Sequence, residues 1–244
     1  MRATVIACQV MQREMNFLAA KSQHIIHVRY LKQGLHNTPD LLRDTLRAEI
    51  ARVEEDVKEW ECPGPEAILL GYGLCSNGVV GLTAGKLPLV IPRTDDCIGI
   101  FLGSQRRYLD CFSTMNGVYW YTPGWIETAF TPSEDNYKKE LERYTQLYGE
   151  DNAQFLMEQT NGWHTKYTGC AYITSQIVDN APYEAYTIEA AKFLNWKYTK
   201  VEGSLRMLEA LVAGNWEKSD FLVCPPGHTI RESYDEKKIR AVLE

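Results

Sequence analysis

The chain alternates short β-branched runs with stretches of helical periodicity, and no other feature of the sequence restricts its fold as tightly. Thr4-Val5-Ile6-Ala7 predicts a strand, followed by a helix around Met11, Met15 and Leu18, and His24–Tyr30 predicts the next strand. The clearest helix comes after it. Leu42, Leu46, Ile50, Val53, Val57 and Trp60 step by four, four, three, four and three, which keeps them on one helical face. Thr38-Pro39 ahead of that run supplies a cap and a first-turn proline, and Cys62-Pro63-Gly64-Pro65 behind it is a breaker. Ala67–Tyr72 and Leu87–Ile91 predict two strands whose apolar runs do not alternate, as expected when helices cover both faces of a sheet. Val118–Tyr121 predicts another.

Residues 132–165 are polar and helical, with Ser133 as a cap and an end near Gly149. The alternation then resumes. A strand over Ala171–Thr174 precedes a helix around Ala190, Phe193 and Leu194, and Tyr198–Val201 precedes a helix between Ser204 and Gly214. Phe221–Cys224 predicts the last strand, and Ser233-Tyr234-Asp235-Glu236 has the capping-box spacing of a final helix. The series predicts an α/β fold, a mainly parallel Rossmann-like sheet flanked by helices, arranged in two lobes. The helical stretch sets the division at residues 1–131 and 132–244, although one continuous domain fits the same pattern.

Composition narrows the partners. With 45% hydrophobic and 24% charged residues, 244 residues can bury a large core without cross-links. A net charge of -6 argues against a nucleic-acid partner, which would need a basic face. No apolar run reaches the roughly 18 residues of a membrane span, and the first eight residues are too short an apolar stretch for a signal peptide. Seven cysteines, an odd count scattered over the chain, point to reduced thiols in a cytoplasm.

The cysteines also point to a site. Ligands of open α/β sheets bind beyond the carboxyl ends of the strands. Cys8, Cys75 and Cys97 all fall there, each where a strand is expected to hand over to a helix. Amides in the first turn of a helix ease ionisation of a thiol, and the thiolate is both nucleophile and metal ligand. Three converging thiolates would repel one another unless a cation sat among them, so the pattern suggests a zinc-like metal with His36 as fourth ligand. An iron–sulfur cluster on the same thiolates, a single reactive thiol and plain core packing are the competing readings. No CxxC pair favours the metal. Cys62, Cys111 and Cys170 are expected to pack. Around the cysteines, Tyr72, Asn77, Arg93, Asp96, Trp125 and His228 are candidates to contact a small-molecule substrate: Arg93 by capturing an anion, Asp96 as cap or base, Trp125 as a pocket wall. The turn Gly71–Gly78 resembles a strand-to-helix glycine turn but lacks the dinucleotide and P-loop patterns. There is no G-x-S-x-G, H-E-x-x-H or kinase signature.

Several segments together carry a family resemblance: Gly71-Tyr72-Gly73-Leu74-Cys75-Ser76-Asn77-Gly78, Ile91–Ile98, Leu102-Gly103-Ser104, Thr122-Pro123-Gly124-Trp125, Glu202–Arg206 and Pro225-Pro226-Gly227. With these the chain resembles the family catalogued as domain of unknown function 1638. The resemblance implies a setting in anaerobic bacteria and archaea beside corrinoid-dependent methyl-transfer systems, with a corrinoid as a possible cofactor and a corrinoid protein or methyltransferase as a possible partner. It adds weight to Cys75 and Cys97, which lie inside its motifs.

Overall fold

A computed structural model of the chain describes residues 1–56, 63–115 and 117–243. Their packing divides the chain into two compact units, Met1–Leu109 with Gly203–Glu244, and Asp110–Glu202.

The first unit is a mixed α/β layer structure. Its elements are β1 (Arg2–Cys8), α1 (Gln12–Lys21), β2 (Ile25–Leu31), α2 (Pro39–Asp56), β3 (Ala67–Gly71), β4 (Leu89–Pro92), α3 (Cys97–Phe101) and α4 (Gln105–Thr114), the last of which runs on into the second unit. The sheet order is β2-β1-β3-β4, closed on one side by β8 (Phe221–Cys224) from the returning chain. The first four strands are parallel and β8 is antiparallel to β4, so the central sheet is mainly parallel. β3 and β4 are buried at every position and β1 from Ala3 onward. That explains the unalternating apolar runs: helices cover both faces. The periodic face of α2 is the buried one, through Leu42, Leu46, Ile50 and Val53. Val57, Trp60 and Cys62 lie outside the described residues.

The chain starts in the middle of this sheet, steps outward to β2, then crosses back over β1 to β3. Right-handed crossovers in opposite directions put α1 and α2 on opposite faces, so the strand order reverses between β1 and β3, the position beyond whose carboxyl ends ligands of such sheets bind. The helix α9 (Arg206–Ala213) packs beside α1 and over β3 and β4, burying Met207, Leu208, Leu211 and Val212.

The end of the chain departs from the sequence reading. β8 is not the last strand, and residues 233–236 do not start a helix. The strands β9 (His228–Glu232) and β10 (Ile239–Leu243) form an antiparallel hairpin, its turn closed by Ser233 N–H donating to Lys238 O at 2.7 Å, with Lys238 left-handed at φ 61°. A capping box is a signal of a few residues. It is outweighed by the strand, which pairs its whole backbone with β9 and buries Ile239 completely.

The second unit has its own sheet of three parallel strands, β5 (Val118–Tyr121), β6 (Gly169–Ile173) and β7 (Lys197–Val201), in that order. Between β5 and β6 run α5 (Pro123–Thr128), α6 (Glu134–Tyr148), α7 (Glu150–Asn161) and a short 3-10 turn at Gly162–Lys166; α8 (Ala181–Leu194) joins β6 to β7. Ser133 caps α6 by accepting from Asn136 N–H, and the helix stops at Gly149, as the sequence suggested. The core of this unit is aromatic, with Tyr121, Tyr172 and Trp196 buried around Cys170, Ala190 and Ala191. Among the described residues no helix is long and apolar enough to cross a membrane.

Candidate functional site at the strand ends

The candidate site of the first unit is built by three strand ends. β1 stops at Cys8, an extended residue that precedes a short 3-10 turn at Gln9–Met11. β3 stops at Gly71, and Tyr72-Gly73-Leu74 lead into Cys75, Ser76 and Asn77, three consecutive residues in the left-handed region at φ 46°, 59° and 63°. For residues with a Cβ that conformation costs roughly 1–2 kcal/mol each, and runs of it are rare outside functional sites. β4 stops at Pro92, and Cys97 is the first residue of α3, capped by the Asp96 side chain. The β3 and β4 ends are zipped together by Leu74 N–H on Thr94 O (2.8 Å) and Cys75 N–H on Asp95 O (2.9 Å). Gly73 permits this approach, because a Cβ there would lie 2.7 Å from Thr94 O and 2.9 Å from Asp96 N.

These ends bring Cys8, Tyr72, Cys75, Asp96 and Cys97 within electrostatic reach of one another. Burial pushes the Cys75 thiol from the ordinary 9.0 up to about 12, and the charges of Asp96 and Cys8 push the same way against the Gly73 and Cys97 amides. Cys97 keeps part of its surface open, yet burial raises its thiol well above the ordinary value, followed by Asp96, Cys75 and Cys8. Burial raises Cys8 too, against the amides of Val10 and Gln9. The Tyr72 phenol, 3% exposed, is raised by burial and then by all three cysteines. Its hydroxyl has no hydrogen-bond partner among the described residues, and neither does the Thr94 hydroxyl. Buried orphan hydroxyls are uncommon and mark places where a water, ion or ligand belongs.

Asp96 is raised by burial although Ile98 N–H donates to its Oδ1 at 2.8 Å and the Tyr108 hydroxyl to its Oδ2 at 3.3 Å. His36, in a 3-10 turn at Leu35–Asn37 after β2, is lowered by burial while the Asp96 charge pulls it upward. Against the expectation that helix starts ease ionisation of these thiols, burial acts in the opposite direction and outweighs the amides at all three. Among the described residues no three His, Cys, Asp or Glu side chains are already grouped to hold a metal ion.

Other sequence candidates sit differently. No helix follows β3 before β4, so Cys75 does not start one and Gly71–Gly78 is not a strand-to-helix turn. The buried Arg93 guanidinium donates to Phe221 O at 3.0 Å, to Lys237 O at 2.6 Å and to Ile239 O, clamping β8 and the β10 hairpin instead of opening toward an anion. Asp95 pairs with Lys238 Nζ at 2.7 Å and accepts from Gln105 at 2.7 Å. Asn77 is exposed in the left-handed turn, its carbonyl accepting from Arg43 at 3.2 Å. His228 opens β9 with Nδ1 3.1 Å from Pro226 O. Trp125 belongs to the second unit, in the first turn of α5, where its Nε1 donates to the Tyr119 hydroxyl at 3.0 Å. Cys111 lies within α4, Cys170 in the aromatic core, and Cys224 donates to His228 O at 3.3 Å. Sequence reasoning missed Thr94 and Tyr108. Thr94 shows no signal in the sequence beyond its neighbourhood, and Tyr108 lies twelve residues from the carboxylate it bonds.

A family profile described as protein of unknown function (DUF1638) matches residues 30–212, three quarters of the chain and all of the β3 and β4 ends. The chain belongs to this family. No curated protein and no solved structure matches it. Within the family match lie Tyr72, Cys75, Asp96, Cys97 and His36; Cys8 precedes it.

Proposed function

We propose that the strand-end cluster is a soft-metal site, zinc in the simplest case, held by the thiolates of Cys8, Cys75 and Cys97 with the His36 imidazole as fourth ligand. One arrangement carries the reading: cysteines from three separate strand ends come together beside the Asp96 carboxyl, so that Cys8 raises the Cys75 thiol, and Cys75 and Cys8 raise that of Cys97. Ionised alone they repel; around a dication the same charges attract. His36 is biased to the neutral form that ligates. The donors are not yet at ligand spacing, so uptake would draw the strand ends together and expel thiol protons.

Zinc bound by thiolates activates a thiol or water as nucleophile. The chain's own part would be to hold a small-molecule substrate at these strand ends, with the unpaired Tyr72 hydroxyl as a donor and Asn77 at the rim. Such a site, in a Rossmann-like first lobe of a cytoplasmic protein, suits the corrinoid-dependent methyl transfer that the family resemblance implies, with a corrinoid protein or methyltransferase as partner.

Metal analysis after anaerobic purification, with zinc titration of the metal-free protein, tests this. About one equivalent is expected, with proton release on binding. Less than about half an equivalent of any transition metal, with no uptake on titration, overturns it. A brown protein would point to an iron–sulfur cluster instead. A corrinoid spectrum that survives replacement of all three cysteines would point to a non-catalytic binding module.

A further inference from the structure

The second unit carries a cavity of different chemistry. About 210 Å³ in volume, it is walled by Phe130, Tyr137, Glu140, Trp163, His164 and Phe193. Tyr137 and Glu140 stand three residues apart on α6 and so share a face. Phe193 comes from α8, with its ring 5.7 Å from that of Tyr137. Trp163 and His164 come from the 3-10 turn at Gly162–Lys166, their rings 3.9 Å apart.

Three of the aromatic walls stay substantially open to solvent: Phe130 at 59%, Phe193 at 42% and Trp163 at 37%. Open aromatic surface gathered around one cavity marks a binding site more often than packing. The small polar groups at the cavity floor are engaged within the fold. Ser133 caps α6, Asn136 Nδ2 donates to Thr131 O at 2.8 Å, and the Thr131 and Tyr186 hydroxyls bond at 2.7 Å. The cavity is therefore lined mainly by aromatic rings, with one carboxylate residue among them. Glu140 is the only Asp, Glu, Lys or Arg among the described lining residues, and burial biases His164 toward its neutral form. Its ion pair with the exposed Arg143, at 3.8 Å, is long and solvent-screened.

We infer that this cavity binds a small organic ammonium ion carrying alkyl groups. The negative faces of the rings attract such a cation, its methyl groups fill space between them, and Glu140 supplies the counter-charge. An anion would meet the carboxylate. A neutral apolar molecule would dehydrate that carboxylate without compensation.

Isothermal titration of the full chain with choline tests the inference, run beside its neutral analogue in which carbon replaces the quaternary nitrogen. Saturable choline binding is expected, with the neutral analogue and Glu140→Gln each weaker by about tenfold, the loss of one charge attraction in a half-shielded site. Trp163→Ala should weaken choline by a further several-fold. Equal binding of choline and the neutral analogue, or no saturable binding at tens of millimolar, overturns the inference. The comparison of the two ligands uses the unmodified protein, so it stands even if a variant fails to fold.

Discussion

The two units each contain a wholly or mainly parallel sheet with a completely buried central strand, yet the strand order reverses only in the first. In the second unit the order is β5-β6-β7 and the chain always steps the same way. In the first it begins at β1, steps out to β2 and returns past β1 to β3. That reversal, not the presence of a parallel sheet, is what makes the first unit's strand ends the place where a ligand is expected. The cysteines repeat the contrast. Cys170 and Cys75 are both buried, and both thiols are raised, to about 11 and about 12. Burial alone acts on Cys170, whereas Asp96 and Cys8 add to burial at Cys75. A buried thiol is ordinary packing; buried acids that oppose one another's ionisation are what the proposed metal site rests on.

The largest expected effect tests that contrast directly. Cys75→Ser should lower zinc affinity by more than about a hundredfold, since changes outside the ligand shell alone cost about 10–100-fold. Cys170→Ser should leave zinc binding intact and cost about 1–3 kcal/mol of stability for a hydroxyl placed among aromatic rings. If the two substitutions changed zinc affinity equally, the distinction drawn between the two thiols would fail.

Next comes the geometry of the strand ends. Gly73→Ala puts a Cβ against the backbone of Thr94 and Asp96, atoms that cannot move without parting the β3 and β4 ends. A loss of about 2–3 kcal/mol is expected in urea unfolding. Gly162 in the second unit has a helical φ of -56°, and a methyl added there would meet nothing within 4 Å, so Gly162→Ala should be neutral or stabilising by up to about 1 kcal/mol. A tolerant Gly73 would mean that the strand ends are not zipped.

The fold was legible where burial and periodicity coincide. The face of α2 and the unalternating runs of β3 and β4 follow from one physical rule, that residues covered by helices are apolar. The closing hairpin was not legible, because β9 and β10 find their stability in pairing with each other rather than in any local signal. At the site, the strand-end positions of Cys8 and Cys97 could be read, since strand ends follow from strands. The left-handed turn at Cys75–Asn77 could not, because only Asn77 and the following Gly78 hint at it. For the ionisation of the thiols, the sequence suggests the helix amides but not the burial that acts against them. Helix amides can be inferred from sequence, but the degree of dehydration needs the packing.

That dehydration sets the third effect. A thiol whose folded pKa lies above its unfolded value stabilises the fold fully below the unfolded value of 9.0, and the contribution is lost as pH rises toward the folded value. Metal-free protein should therefore lose stability from about pH 9 upward, by roughly 1 kcal/mol per pH unit for a thiol like Cys75. Thermal melts across that window should be shallower for Cys75→Ser than for the parent. Stability that stays flat there would mean that the thiols are hydrated or already ionised.

The smallest effect sharpens the comparison most. Ser76 is exposed, left-handed and without the local tolerance of asparagine, so Ser76→Gly should stabilise the chain by about 1 kcal/mol. Asn195 in the second unit is a lone left-handed residue ending α8, a place where asparagine is at ease, and Asn195→Gly should gain less, about 0.5 kcal/mol. If Ser76→Gly also weakens zinc binding, the rigidity of the left-handed turn holds Cys75 ready for the metal, and the strain is kept for binding. If stability rises and zinc affinity does not change, the turn only shapes the chain's path, and the site depends on where the strands end.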